Sequence, residues 1–452
     1  MMKHVAVLGY GVTGESVVRH LVANGVQVTV IDTRPVRTAQ IAGVEFVWEA
    51  TRWPDIQVDH VVVSPGLSMD HFLVLGAAEK QVPLLSDIDL FFACVDAPVI
   101  GVTGTNGKST VTSLVAHMLN EAGVSCGVGG NLGVAALDIV DPEHQCYVLE
   151  LSSFQLERSL DHPFCAATIL NISQDHMDKH GDMQAYALAK QRIYKRAARC
   201  VYNRMDPRTQ PPAGVRTSSF GPDAGSGAGS WGVAATTKQG QHGVRTLQKD
   251  GEALCRVDEL PLVGRHNELN VLAACALVDD QLTPEQMRQG LGSFRGLKHR
   301  YEKVCEMGGV AYINDSKATN LGASLAALES LPRTGRVILI AGGDAKGADL
   351  SALANVLRAR VRHVMCLGQD AAQIADIARS ADVPNTFCAS LEAAVALSHE
   401  LARAGDTVLL SPACASLDMF DSYEQRGDCF THAVAQFAQP AKSLQAEPAE
   451  GR

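Results

Sequence analysis

The sequence predicts an α/β protein of three domains, each an open sheet with crossover helices. Three observations carry that prediction. The chain has 452 residues, too many for one hydrophobic core. Short apolar runs of strand character alternate along it with amphipathic, helix-like segments. Two of those runs open into helices through glycine-rich turns, VAVLGYGVTGES and, farther on, VIGVTGTNGKST.

The first domain, residues 1–97, opens with the strand VAVLG. The helix ESVVRHLVANG follows, then the strands VQVTVID and VDHVVVSPG, and Pro98 after FFACVDA marks a linker. The second, 98–296, begins with the strand before GTNGKST and continues as the helix TVTSLVAHMLNEAG. Its further strands are CYVLEL, CAATILNI and RCVYN, and FGPDAGSGAGSWGV (220–233) reads as an exposed loop. The helix HNELNVLAACALVDD precedes a boundary near GLGSFRGLKHR. The third, 297–437, offers strands at VAYIND, RVILIAGG, HVMCLG, TFCA and DTVLLSP. The remaining 438–452, rich in Ala, Pro and charge, is expected to be a disordered tail.

A hydrophobic share of 46% against 19% charged residues describes a globular chain. The formal net charge of −10 argues against nucleic acid or an anionic membrane as partner, though a local basic pocket for a phosphorylated ligand is compatible with it. The 12 cysteines form no CxxC pair and read as reduced thiols. MMKHVAVLGYG runs straight into a strand without a signal-peptide pattern. No apolar run reaches the roughly 18 residues of a membrane span. A cytoplasmic protein is expected.

VIGVTGTNGKST stands where a phosphate loop belongs, between an apolar strand and an amphipathic helix. Backbone N–H groups of the turn and helix N-terminus would cradle phosphate oxygens. Lys108 would reach the β- and γ-phosphates, and Ser109 or Thr110 would help to hold Mg²⁺. The strict GxxxxGK[ST] pattern fails, because its first position falls on Val102; the string here is Gly104-Thr105-Asn106-Gly107-Lys108-Ser109. An ordinary strand-turn-helix is the competing reading. Glu150 ends the strand CYVLE, where the Mg²⁺ of a bound ATP needs an oxygen ligand. Without the phosphate loop, a Glu at a strand end would mean little.

In QAYALAKQRIYKRAARC the apolar stripe runs through Tyr186, Ile193 and Ala197, and Lys190 lies on it. A lysine on an inner face needs a partner or must lose its charge; the alternative is a side chain that snorkels past the edge of the stripe. Upstream, NISQDHMDKHGD gathers His176, Asp178, His180 and Asp182. The HxxxH spacing is that of a zinc-protease helix, but Met177 stands where that motif needs Glu. His176 is a candidate metal ligand, and His180 is expected at the surface.

ELSSFQLE, DHMDKHG, YALAKQRIY, GRHNELN, NDSKATN, GGDAKGADL and SPACASLDMFDSYEQRG together resemble the Mur ligase family, over all of the chain but the tail. The resemblance implies a Rossmann-like N-terminal domain for a UDP-sugar, a central P-loop ATP-binding α/β domain and a C-terminal Rossmann-like α/β domain for the amino acid. It implies ATP and two Mg²⁺ ions, and, within the family, addition of D-glutamate to UDP-N-acetylmuramoyl-L-alanine by a monomer. On this chain Lys108, Ser109 and Thr110 would hold the ATP phosphates, and Glu150 and His176 would ligate magnesium. Lys190 would be the lysine that such ligases carry as a carbamate. Asn131 resembles a substrate-contacting asparagine, Asn267 and Arg300 resemble ATP-side residues, and Asp315 would lie near the ribose. Thr319, Lys346, Ser416 and Tyr423 match positions that hold the glutamate; Tyr423 stands where the family often has Phe.

Gly9, Gly11 and Gly14 fit GxGxxG after a strand, and Asp32 ends the next strand, 18 positions after Gly14. Alone this is the dinucleotide fingerprint with its ribose acid, and it reads as an NAD-dependent oxidoreductase. The resemblance implies UDP instead, with the turn Gly11-Val12-Thr13-Gly14 at the diphosphate and Asp32, Thr33 and Arg34 along the uracil. Ser64, Pro65 and Gly66 form the neighbouring strand-end loop. A folylpolyglutamate-synthase-like ligase would share the ATP-domain logic but not a GxGxxG first domain. A sister ligase for a diamino acid would carry Asp-Asn-Pro-Arg, which is absent. Cys414 in SPACAS reads as packing. The preference for D- over L-glutamate rests on the resemblance alone.

Overall fold

The computed structural model describes residues 2–35, 41–131, 133–236, 244–262, 264–331 and 335–438. The chain packs into two compact units, Met1–Arg295 and Gly296–Arg452. Residues 439–452 of the expected tail lie outside the described residues.

The first unit holds two sheets. One has five parallel strands in the spatial order Val44–Val47, Gln27–Ile31, His4–Leu8, His60–Val63 and Leu84–Leu85. Its central strands are apolar runs because helices cover both faces. Val44–Val47 has no counterpart in the sequence reading. It is a half-buried edge strand whose Phe46 ring stacks on Trp48 at 5.5 Å and meets Tyr10 edge-on at 5.3 Å.

The second sheet has nine strands. Cys126–Gly130, Cys146–Glu150, Val99–Thr103, Ala166–Ile169, Cys200–Asn203, Thr217–Phe220 and Ser230–Thr236 run parallel, and Val244–Lys249 and Glu252–Arg256 close the far edge as an antiparallel hairpin. Residues 220–233 are therefore not one exposed loop. Phe220 and Trp231 are buried at the ends of two paired strands, with the glycine-rich residues between them. The Arg204 guanidinium organises that turn, donating to Ser219 Oγ, Ser230 Oγ and the Trp231 carbonyl. The bulky apolar residues at both ends of the stretch outweigh its Gly/Ser composition.

The helix Asp87–Phe92 joins the two sheets and buries Phe91 edge-on against Tyr147 at 5.2 Å. Asp138 of the central segment accepts from Ser16 Oγ and Arg19 of the first helix. The stretch before Pro98, read as a linker, is thus part of a packed unit.

The second unit is a six-stranded sheet in the order Glu302–Met307, Val310–Asn314, Thr407–Leu410, Val337–Gly342, Val361–Leu367 and Asn385–Phe387. Only its first strand is antiparallel, and the sequence reading did not include it. All twelve cysteines are free; Cys94 is exposed and the others are buried or half-buried. Among the described residues no helix is long and apolar enough to cross a membrane.

Candidate active site

The strand Val99–Thr103 is fully buried and delivers the chain to a turn that ends at the helix Lys108–Glu121. Gly104 and Gly107 adopt φ of +150° and +85°. At Gly107 a side chain is excluded twice, by that left-handed backbone and by Asn270 Oδ1, into which a Cβ would run. Asn171 clamps the turn: its carbonyl accepts from Thr105 N, its Oδ1 from Asn106 N at 2.9 Å, and its Nδ2 donates to the Asn106 carbonyl at 2.9 Å. The helix N-terminus is thereby fixed with its N–H groups at the loop, an arrangement that favours anions. Lys108 Nζ folds back onto the carbonyls of Gly104 (3.0 Å) and Thr105 (2.8 Å), and Ser109 and Thr110 are buried in the first turn.

Lys190 lies on the inner face of its helix, 1% exposed. Its ammonium donates to the Gly104 carbonyl at 2.9 Å and sits 4.6 Å from the centre of the Tyr186 ring. Burial, with the like charge of Lys108, pulls its pKa well below the ordinary lysine range, and Asp175 and Glu150 oppose that only in part. Snorkelling is ruled out.

Glu150 is buried at the end of its strand. Asn131 Nδ2 donates to one of its carboxylate oxygens at 2.8 Å, and the other, Oε2, is buried without a partner among the described residues. Such an orphaned anionic oxygen beside a phosphate loop suits a hard cation. His176 is half-exposed at a left-handed φ of +56°, 5.2 Å from the Phe154 ring and 3.8 Å from Asp175. Among the described residues no three His, Cys, Asp or Glu side chains gather into a cation site by themselves. His180, expected at the surface, is half-buried instead: it bonds Ser153 Oγ at 2.9 Å and stacks on Phe154.

In the first loop Gly9 has a φ of +84°, and the carbonyl of Gly9 meets the Gly14 position so closely that no Cβ fits. Ser64 Oγ donates to that same carbonyl at 2.8 Å. Positions 11 and 66 are open, with nothing near where a Cβ would project, and Val12, Thr33 and Arg34 are exposed while Thr13 is half-buried. Asp32 does not present a free ribose-binding carboxylate. It is 3% exposed and accepts from Tyr10 N, Arg34 N and the Arg34 guanidinium. Burial would raise its pKa, but those donors win and hold it down to about 2. Through these bonds it ties Arg34 to the first glycine turn.

The residues expected around ATP divide between the units. Asn267, in the first, is buried and its Oδ1 accepts from Asn270. Arg300 and Asp315 are in the second, where both Asp315 oxygens are engaged, by Tyr301 N and Ser411 Oγ.

Three of the four expected glutamate residues, Thr319, Lys346 and Ser416, lie in loops at the carboxyl ends of the second unit's strands, and Tyr423 opens the last helix, Tyr423–Ala438. A short bridge, Asp344 to Ala415, brings the Lys346 turn beside Ser416. Ser316 Oγ donates to the Tyr423 carbonyl, which draws the Thr319 loop to the start of the last helix. Arg426, 1% exposed, binds both groups together by donating to Ser316 Oγ and to the Ser316, Cys414 and Ala415 carbonyls. Lys346 is exposed at a φ of +52°, and Lys317 Nζ lies 3.7 Å from the centre of the Tyr423 ring. Cys414 is buried and its thiol is pushed up to about 12 by burial, so it is packing.

The sequence reading missed Asn171, Asn270, Lys317 and the roles of Arg426 and His180. Asn270, Lys317 and Arg426 stand inside GRHNELN, NDSKATN and SPACASLDMFDSYEQRG; Asn171 carries only the weaker signal of a polar residue just past a strand end.

Two outcomes are expected. Gly107→Ala weakens ADP binding at least about tenfold (about 1.4 kcal/mol) while UDP binding is unchanged, as read by calorimetry with each nucleotide. Burial pushes Asp315 up to about 7. A carboxyl raised on folding stabilises the fold fully below its unfolded value near 4 and loses that contribution as pH rises through about 7. The unfolding free energy of the wild type should therefore fall relative to Asp315→Asn between about pH 5 and about pH 8 in denaturant titrations. Parallel curves would refute this.

Family models match most of the chain: Mur ligase MurD-like, N-terminal domain over 3–86, Mur ligase middle domain over 102–278, and Mur ligase, glutamate ligase domain over 299–414. The UDP-N-acetylmuramoylalanine--D-glutamate ligase of Marinobacter nauticus is 42% identical over 445 residues, 95% of this chain and 97% of that protein. That of Methylococcus capsulatus is 42% identical over 444 residues, 96% and 95% of the two chains. Among solved structures, the UDP-N-acetylmuramate-alanine ligase of Thermotoga maritima has a TM-score of 0.62 at 19% identity, covering 97% of this chain and 100% of that one. A MurF ligase from the same organism, in complex with ADP, has a TM-score of 0.62 at 17% identity, covering 96% and 95%. At those identities the structures speak for the fold; with the relatives and the three models in order, they show that the chain belongs to the Mur ligase family.

Proposed function

We propose that this protein is the ATP-dependent ligase that adds D-glutamate to UDP-N-acetylmuramoyl-L-alanine, as a monomer in the cytoplasm, during peptidoglycan precursor synthesis. The observation that carries the reading is the pair of glycine turns in one unit, the second flanked by a buried lysine and an orphaned carboxylate oxygen. A dehydrogenase has no use for that second turn.

The alanyl carboxylate is a poor electrophile, so ATP first converts it to an acyl phosphate. The fixed N–H groups of the loop, the helix N-terminus and Lys108 offset charge on the transferring phosphoryl group. Glu150, His176, Ser109 and Lys190 would hold magnesium, which neutralises phosphate charge when bound. Lys190 is suited to its part by burial. Its amine is driven toward the neutral form, which attacks carbon dioxide to give a carbamate and release a proton, turning an isolated buried cation into an oxygen donor. The amine of D-glutamate then attacks the acyl phosphate, and the tetrahedral intermediate expels phosphate. Lys346 supplies the cation that the glutamate side-chain carboxylate requires, with Thr319, Ser416 and Tyr423 around it. On the nucleotide-sugar side, Gly11, Val12, Thr13, Gly14, Asp32, Thr33, Arg34, Ser64 and Gly66 receive UDP and Asn131 contacts the substrate; Asp32 also holds Arg34 and Asn131 also bonds Glu150.

Two measurements test this. Phosphate release from ATP with UDP-N-acetylmuramoyl-L-alanine should require D-glutamate, with L-glutamate and a diamino acid inactive; release with another amine moves the substrate, and none with any amine refutes the reading. Carbon-13 NMR after incubation with labelled bicarbonate should show a carbamate signal in the wild type that Lys190→Ala removes. Equal spectra would eliminate the carbamate.

A further inference from the structure

The segment that follows Glu150 makes several of its polar contacts toward the first sheet. Ser152 caps the short helix Ser153–Arg158 in a reciprocal box with Gln155. Gln155 Nε2 donates to Asp87 Oδ2 at 3.3 Å, and Leu160 N and His162 Nε2 both bond Asp89 Oδ1, at 2.7 and 2.6 Å. These contacts grip the helix Asp87–Phe92, and they hold the two sheets together.

Arg158 does something different. Its Nη1 donates to the Phe154 carbonyl at 2.7 Å and its Nη2 to the carbonyl of Leu67. Leu67 belongs to the strand-end loop of the first sheet, turned by the bond from Leu67 N to the Ser64 carbonyl at 3.1 Å. Ser64 in turn donates to the Gly9 carbonyl in the first glycine turn. No carboxylate pairs with this guanidinium among the described residues, and its Nε is buried without a partner. Burial lowers its pKa, with Glu157 and Asp87 opposing from a distance. A half-buried guanidinium spent on a loop carbonyl adds little to a joint that other bonds already make. It does, however, bind the open Gly66 position and the first glycine turn to the residues just beyond Glu150.

We propose that Arg158 is a positioning residue for the nucleotide-sugar side of the site, fixing the Ser64–Leu67 loop to the segment that carries Glu150. The identity of the ligand rests on the ligase reading; the latch itself does not.

The test uses the full chain with Arg158→Met, which keeps the apolar stem and removes the donors, and Arg158→Lys, which keeps one ammonium. In Arg158→Met without ligand, amide exchange across Ser64–Leu67 should rise about tenfold while the Lys108–Glu121 helix is unchanged. UDP affinity should fall about tenfold and ADP affinity stay within about twofold. In turnover the KM for the nucleotide sugar should rise with kcat within about threefold, and Arg158→Lys should recover part of each effect. Unchanged loop exchange in Arg158→Met overturns the proposal, as does a rise in exchange throughout the unit with joint loss of UDP and ADP binding. A loop that loosens as expected in a protein that does not bind UDP supports the latch and refutes the ligase reading of the first turn.

Discussion

Two ammonium groups converge on a single carbonyl oxygen. Lys108 and Lys190, from different helices, both donate to the Gly104 carbonyl, and the rest of the phosphate site is arranged around that fact. The carbonyl can point at them only because Gly104 takes a φ closed to other residues, and the turn stays in place because Asn171 satisfies the amides on its far side. Two like charges so near in a dry surrounding cannot both persist at ordinary strength. Lys190, the more buried, is the one that yields. The resemblance reads it as a carbamate, and the packing supplies the physical reason: burial and the charge of Lys108 drive the amine toward its neutral form, within electrostatic reach of Glu150.

Much of this was legible in the sequence because it is local. A strand, a glycine turn and a helix start leave their mark within a dozen residues, so both loops and the inner-face position of Lys190 could be read directly. What escaped is long-range. Asn171 and Asn270 act on the phosphate turn from another strand and another helix, and nothing near them in sequence announces that. His180 looked solvent-bound because its neighbours are charged, yet Phe154 and Ser153 from a separate helix cover it. The 220–233 stretch failed for the opposite reason: its average composition hid two buried rings at its ends. Asp32 matched a fingerprint by position while its oxygens were already taken by Tyr10 and Arg34, an occupancy that spacing cannot reveal.

The two units solve the same problem by different means. In the first, loops are held by asparagine amides and tight glycine contacts, which leave backbone N–H groups facing outward for phosphates. In the second, one buried arginine, Arg426, gathers the strand-end loops by their carbonyls. A guanidinium has five donors in a fixed fork and so can serve several carbonyls at once. One guanidinium can thus tie several loops together by their carbonyls alone, without drawing on the other loop side chains.

The distribution of thiols has a practical consequence. Eleven of the twelve cysteines are buried or half-buried, and Cys94 alone is exposed, just beyond the helix Asp87–Phe92 that joins the first sheet to the second. A thiol-directed dye therefore attaches first at a place the chain itself has chosen, on the seam between the two sheets of the first unit. The native protein carries its own attachment point for a fluorescent reporter, and strain across that seam can be followed by emission without altering a single residue.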